Sequence, residues 1–504
     1  MTNSFTTYSR ENGGRVLLLF LLFLLALYQF VTAGYNAFVI VCLAPLLVLA
    51  GYVVFRWRMS AFWALIVINY VIQWKEMPPL PIPASLPNEM LELVILGIAI
   101  IDARQTPHFE RAANLMLYAL TIWCCFCTLE ILNDTCGLGI NVGAWYTGAR
   151  MMAFQLMYAF LVFSICISSP EILRRYLIVW GCLCLFSAIW TMKQQYIGFT
   201  RAEAHFLEGS YTHIIQGGTL IRYFSTFSDA SNYGCNAAAS AVAFIIFGIT
   251  TKFKLDRWFF LVVAALVIKG MFASGTRTAI FCLFAGMVVF VFLSKSVKIA
   301  VPAAIVGFLF FSFLAFTNIA NGNQQIRRMR SAFRKGDAST KARDINQETM
   351  KKYMKDAPWG IGVGMMSNNV PANNKYNRMA SIPADSEYVF IWLRTGDIGI
   401  TTFIITLLMM FGGACYTVFF KLKNPSLRGI GGGLCSAFVA IQLGGYGNQV
   451  LMQFPNCLLF YGGLSIVYVL PYIEPEWIKY ESKLLAEQEE KKRLKLEKKL
   501  ASRV

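Results

Sequence analysis

Residues 257–294 read RWFFLVVAALVIKGMFASGTRTAIFCLFAGMVVFVFLS. Two apolar runs, 257 to 273 and 278 to 294, flank one polar link, Ser274-Gly275-Thr276-Arg277. Each run is close to the length that carries an α-helix across the roughly 30 Å hydrocarbon core of a bilayer. Lipid offers the backbone no hydrogen-bond partner, so the pair reads as a helical hairpin in a membrane. Working outward, similar runs recur from Val16 to Leu470: near 16 to 33, 37 to 55, 60 to 74, 89 to 101, 112 to 131, 149 to 168, 172 to 192 and 231 to 250 before the hairpin, and 298 to 318, 397 to 420, 429 to 446 and 456 to 472 after it. With the short runs 60 to 74 and 89 to 101 counted or not, the expectation is an all-α, polytopic helical integral membrane protein of about 12–14 transmembrane helices.

Composition points the same way. Of the 504 residues 57% are hydrophobic and 14% charged, where soluble proteins carry roughly 25% charged residues, so a soluble globule is excluded. The run from Val16 to Ala33 follows Arg10 and Arg15 as in a signal peptide, but the spans beyond it make it a retained first helix. Most of the 13 cysteines, such as Cys42, Cys124, Cys166 and Cys282, lie inside apolar runs without CxxC spacing. They read as small core residues, and neither a disulfide framework nor a metal site is expected.

The net charge of +18 must sit in loops and tails. Lys and Arg accumulate in short cytoplasmic loops. With the N-terminus inside, the alternate turns hold Arg56 and Arg58, Arg104 and Arg111, Arg174 and Arg175, Lys252, Lys254 and Arg257, Lys295 and Lys298, and Lys421, Lys423 and Arg428. Opposite turns such as 133 to 148 and 447 to 455 are nearly uncharged. A membrane domain over 1–472 is therefore followed by a cytoplasmic, mixed-charge helical tail over 473–504, which reads as a solvated helix near anionic head groups. Two external loops are long, 193–230 and 319–396, and long loops among tight turns usually carry function. The second is strongly basic, with Arg327, Arg328, Arg330, Arg343, Lys351 and Lys352 among its cations.

Three elements could carry chemistry. At the outer end of the hairpin, Arg277 is either a cation snorkelling to the interface or a guanidinium placed to grip phosphate oxygens in pairs. In the basic loop, Arg343-Asp344-Ile345 opens a helical run that ends at Pro358-Trp359-Gly360-Ile361-Gly362-Val363-Gly364. That segment follows no strand, which excludes a dinucleotide fingerprint. Third, Asp385-Ser386-Glu387-Tyr388-Val389 leads through Trp392 to Gly396 and Gly399, and reads by itself as an interfacial helix anchored by aromatics. In the first loop, Asp229, Ser231 and Asn232 stand where a helix cap is needed, and His205 and His213 are the imidazoles available outside.

Taken in this order, the three elements resemble the O-antigen ligase and O-antigen polymerase superfamily of bacterial envelope glycosyltransferases. Ser274 to Arg277 is similar to that family's motif at an outer helix end. Arg343 stands fifteen residues before Pro358 to Gly364, as in its P-x-x-G-x-G pattern, and Asp385 to Val389 with Gly396 and Gly399 follows its H-N-x-[YF]-L and G-x-x-G patterns. Phe227 to Tyr233 looks like its F-x-[DN]-x-N segment. The resemblance covers roughly residues 225 to 410. Asp385 and Ser386 occupy the places of the family's His and Asn, which leaves the role of that position open and favours the polymerase branch.

The resemblance implies transfer of an undecaprenyl-diphosphate-linked glycan to a sugar hydroxyl at the outer face of the bacterial cytoplasmic membrane, with neither cofactor nor nucleic acid. The acceptor would be lipid A core or a second carrier-linked glycan. Arg277 and Arg343 would clamp the diphosphate, Arg327, Arg328 and Arg330 would steer the anionic head group, and Asp385 would orient or deprotonate the acceptor. Glu387, Tyr388, Asp229 and His213 would complete the substrate contacts. The alternative is a lipid-linked-oligosaccharide flippase or other transporter, which should show internal repeats and polar residues near mid-membrane. No repeat relates the halves, and the polar candidates gather on one side.

Overall fold

In the computed structural model the described residues are 56–77, 85–102, 109–209, 214–215, 220–331, 333 and 338–501, with scattered positions between 13 and 54. The protein is all-helical apart from a two-residue antiparallel ladder, Ile214–Ile215 against Leu220–Ile221. Seven described helices are long and apolar enough to cross a membrane: Leu115–Leu132, Val142–Cys166, Pro170–Tyr196, Ala230–Thr250, Glu387–Lys421, Pro425–Gly447 and Asn456–Glu490. It is an integral membrane protein of polytopic helical architecture. The expected spans at 60 to 74, 89 to 101, 278 to 294 and 298 to 318 form shorter or more peripheral helices, Met59–Val71, Leu86–Ile101, Thr278–Leu293 and Val297–Phe316. Lys254–Ala273 has the length of a span but carries Lys254, Asp256, Arg257 and Lys269. The expected runs at 16 to 33 and 37 to 55 fall largely outside the described residues.

The core is built where small residues let helices approach. Ala230–Thr250 buries nearly its whole circumference, including Ala237, Ala238, Ala239, Ala241 and Ala243, between Lys254–Ala273, Thr278–Leu293 and Pro425–Gly447. Lipid tails are as apolar as leucine, so close van der Waals packing of small side chains drives such association. Large apolar side chains face outward instead, as with Val306, Phe308 and Leu309 on the peripheral Val297–Phe316 helix.

Polar contacts separate two faces. On one, Arg174 grips Asp256 with both Nε (2.7 Å) and Nη2 (2.8 Å), while Lys252 pairs with Glu481 at 2.9 Å. Glu481 also accepts from Ser426 Oγ at 2.6 Å and Asn424 Nδ2 at 3.1 Å. These contacts seat the base of Asn456–Ala501, a 46-residue helix that runs from the membrane into the charged tail. The opposite face carries both long loops. There the 193–230 loop is tied back by buried Glu203, which accepts from Trp190 Nε1 and Gln194 Nε2 at 2.7 Å and from Lys193 Nζ at 3.1 Å. Hydrogen bonds to charged partners are worth about 1.5–3 kcal/mol. Asp256→Asn, which keeps the shape and removes the charge, should therefore destabilise the protein by about 2 kcal/mol, seen as unfolding at lower temperature in detergent.

Candidate functional site

The polar link of the hairpin is the centre of the loop face. Lys254–Ala273 ends at Ser274, and Gly275 takes a left-handed φ of 60° that turns the chain into Thr278–Leu293. The turn holds itself: Ser274 Oγ donates to Met271 O at 2.7 Å and accepts from Thr276 N at 3.2 Å, and Thr276 Oγ1 reaches Ala230 O at 2.7 Å. Gly275 is required by its backbone angle and by what flanks it. A Cβ there would stand 3.2 Å from Arg328 Cδ and Nε and 3.5 Å from Arg222 Cγ.

Both flanking arginines are fixed to this turn. Arg222 Nη2 donates to Ser231 Oγ at 2.9 Å and to Thr276 Oγ1 at 3.0 Å, and its Nε donates to Ser274 O at 3.3 Å. Arg328 Nε donates to Gly275 O at 2.6 Å. Arg277, half-buried, is the next residue but one after Gly275. Burial pulls the pKa of Arg222 down, Asp229 opposes this, and the like charge of Arg277 adds to the lowering. Three guanidinium groups thus gather at one turn, from the first loop, the hairpin and the second loop.

The neighbouring carboxylate serves the fold. Asp229 caps Ala230–Thr250, its Oδ1 accepting from Ser231 N at 2.7 Å and Asn232 N at 2.9 Å, as a short polar side chain before a helix does. Lys75 approaches from the turn after Met59–Val71: its Nζ donates to Ser228 O at 3.3 Å and stands 3.9 Å over the Phe206 ring. Burial lowers its pKa and Asp229 opposes the lowering. Behind the cluster, Asn456 Nδ2 donates to Asn232 Oδ1 at 2.7 Å and Asn236 Nδ2 to Asn456 Oδ1 at 2.8 Å, joining two core helices at the level of the site.

In the second loop, Ala338–Met354 carries Arg343, whose side chain lies outside the described residues. The glycine segment that follows packs on backbone. Gly360, at φ 74°, would press a Cβ into the Arg394 carbonyl, and Gly396, at φ 68°, would press one into the Pro358 carbonyl. Gly396 also breaks the helical geometry of Glu387–Tyr416. Ile361 N donates to Leu393 O at 3.1 Å and Gly362 N to Arg394 O at 3.0 Å. The two glycine motifs of the sequence therefore interlock with each other, and Gly364 approaches Ala144 in the first turn of Val142–Cys166 in the same way. A small core under the loop, with Met350, Met354, Ile361, Met379 and Leu393, completes this unit.

The remaining residues singled out in the sequence separate into groups. Asp385 is exposed and lines a cavity of about 230 Å³ with Asp344, Asn346, Gln347, Ser386 and Tyr446. Glu387 is buried and accepts from Leu451 N at 3.0 Å, fixing the start of its helix. Tyr388 turns to the neighbouring helix, its hydroxyl 3.2 Å from Gln442 O. Arg330 is buried and closes the end of Val297–Phe316, donating to Asn321 Oδ1 at 2.5 Å, Ile319 O at 2.6 Å and Thr317 Oγ1 at 3.2 Å. Arg327 is exposed. His213 lies outside the described residues, and His205 is exposed beside Glu208 at 3.5 Å. Arg222 and Lys75 were not evident from motif reading. The signal for Arg222 was a cation seven residues before the capping Asp229 in a long loop.

Residues 260–404 match the family model described as O-antigen ligase. Over this segment the chain is similar to the O-antigen ligase family. The matched segment takes in the Gly275 turn, Arg328, the Arg343 helix and Asp385, and the match supports a part in glycan transfer in envelope polysaccharide synthesis. No curated protein matches the chain. Within the segment the glycine interlock is testable: Gly396→Ala forces a non-glycine residue to positive φ and against a carbonyl, which costs about 1–3 kcal/mol or more. The variant should unfold at lower temperature and become cleavable by protease within 355–396.

Proposed function

We propose that this protein transfers an undecaprenyl-diphosphate-linked glycan to a sugar hydroxyl at the outer face of the bacterial cytoplasmic membrane, as an O-antigen polymerase or ligase. The observation that carries the reading is the convergence of Arg222, Arg277 and Arg328 on the Gly275 turn. Guanidinium groups clustered at one turn suit a polyanion, because their fork-shaped donors match phosphate oxygens. The lipid-facing helices beside the turn suit a substrate whose diphosphate enters from a membrane.

In this mechanism the bond from the anomeric carbon to the diphosphate oxygen breaks while the acceptor oxygen bonds to the same carbon. The diphosphate leaves with the electron pair, and donors already in place stabilise the charge growing on it without reorganisation. Arg277 and Arg343 hold the diphosphate, with Arg222 and Arg328 fixing the turn and adding positive potential; Arg327 on the exposed rim steers the anionic lipid. Asp385, in the place of the family's histidine, accepts the hydrogen bond of the acceptor hydroxyl and takes its proton as the new glycosidic bond forms.

The acceptor is a second carrier-linked glycan for a polymerase and lipid A core for a ligase. Deleting the gene separates the two: loss of a polymerase leaves single repeats on the surface, and loss of a ligase leaves long carrier-linked polymer. The clamp itself is tested by replacing Arg222, Arg277 and Arg343 in turn by Ala and by Lys and measuring transfer from a polyprenyl-diphosphate-linked oligosaccharide in membranes. Loss of one such preorganised donor lowers turnover on the order of 10²–10³-fold, with partial recovery in the Lys variants. Full activity of Arg277→Ala would remove the clamp from the mechanism, and lipid translocation without glycan transfer would make the protein a transporter.

A further inference from the structure

The cavity beside Asp385 differs in chemistry from the arginine turn. It measures about 230 Å³ and is lined by Asp344, Asn346, Gln347, Asp385, Ser386 and Tyr446, with no Lys or Arg among its described lining residues. Asp344, Asn346 and Gln347 project from Ala338–Met354, and Tyr446 from the end of Pro425–Gly447. No hydrogen bond ties the side chains of Asn346, Gln347 or Tyr446 to another described residue. Tyr446 is 73% exposed although it sits in an otherwise buried helix end.

We infer that this cavity is the acceptor-sugar subsite and that it takes a neutral or amino sugar. The inference rests on the glycan-transfer reading and names the part of the site that reading leaves open. Carboxamides offer both donors and acceptors, as vicinal sugar hydroxyls do, and carboxylates accept from hydroxyl or ammonium groups. An exposed aromatic ring offers an apolar face to the C–H side of a pyranose. The exposed Asp344 carboxylate repels a uronic acid or a phosphate, so the cavity does not compete for the donor's diphosphate. Its volume is below the roughly 300–1,000 Å³ of sites that enclose drug-sized ligands, which suits one sugar ring with the rest of the acceptor outside.

The placement fits transfer. Ser386 Oγ donates to Gly445 O at 3.1 Å, and two residues beyond Tyr446, Asn448 Nδ2 donates to Thr278 Oγ1 at 3.1 Å, immediately after Arg277. The end of one helix therefore separates the cavity from the arginine turn. An acceptor held by Asn346, Gln347 and Tyr446 presents its hydroxyl past Asp385 toward a donor at Arg277.

The test uses the full chain in nanodiscs and two readouts. Saturation-transfer NMR with glucose, N-acetylglucosamine, glucosamine and glucuronate measures binding, and transfer assays give KM for donor and acceptor separately. Asn346→Ala, Gln347→Ala and Tyr446→Ala should each weaken binding of the first three sugars and raise acceptor KM about tenfold, the loss of one good hydrogen bond or stacking contact. Donor KM should not change, and Tyr446→Phe, which keeps the ring, should retain binding. Glucuronate should bind least. Unchanged sugar binding and acceptor KM in all three Ala variants, a rise in donor KM instead, or a preference for glucuronate would overturn the assignment. Sugar binding lost in these variants while the wild type transfers no glycan would leave the subsite standing and overturn the transfer reading.

Discussion

The hydrogen bonds that Arg222 and Arg328 give to the Ser274–Thr276 turn are the contacts on which the loop face depends. They join the first long loop, the hairpin and the second long loop at one glycine, whose missing side chain leaves room for both arginines. Like charges brought together at a protein surface repel by up to a few kcal/mol per contacting pair. The fold offsets this partly with carbonyl and hydroxyl acceptors and with Asp229, whose own carboxylate is held by helix capping.

The rest of the loop face is arranged around that turn in two layers. Beneath it, an asparagine network ties Ala230–Thr250 to Asn456–Ala501, so the turn stands on a rigid base. Above it, the second loop closes on itself through Gly360 and Gly396, which fixes Ala338–Met354 over the end of Pro425–Gly447. Residues 445 to 448 run between the turn of Arg222 and Arg328 and the cavity of Asp344, Asn346 and Gln347.

Much of this was legible in the sequence, for physical reasons. Apolar runs must be helical in lipid, so the seven long apolar helices and the hairpin could be read from residue order, as could the capping role of Asp229. The short run 278 to 294 was legible as a helix because nothing polar interrupts it. Pairings across distant segments were not. Arg222 acts through Thr276, 54 positions away, and neither residue carries a local signature of the other. Arg330 looks like one more cation of a basic loop, yet it closes the end of a helix, because its reach to the last carbonyls is set by the turn at 317 to 323. The crowding of the second loop's glycines comes from Arg394 and Pro358, which only the folded chain brings together.

The most direct test of the central claim is a structure of the protein with a non-transferable polyprenyl diphosphate bound. Phosphate density within hydrogen-bond reach of Arg277, at the turn gripped by Arg222 and Arg328, is the expected result. Density resting in the cavity of Asp344 and Asp385, or on the opposite face near Arg174 and Lys252, would contradict it.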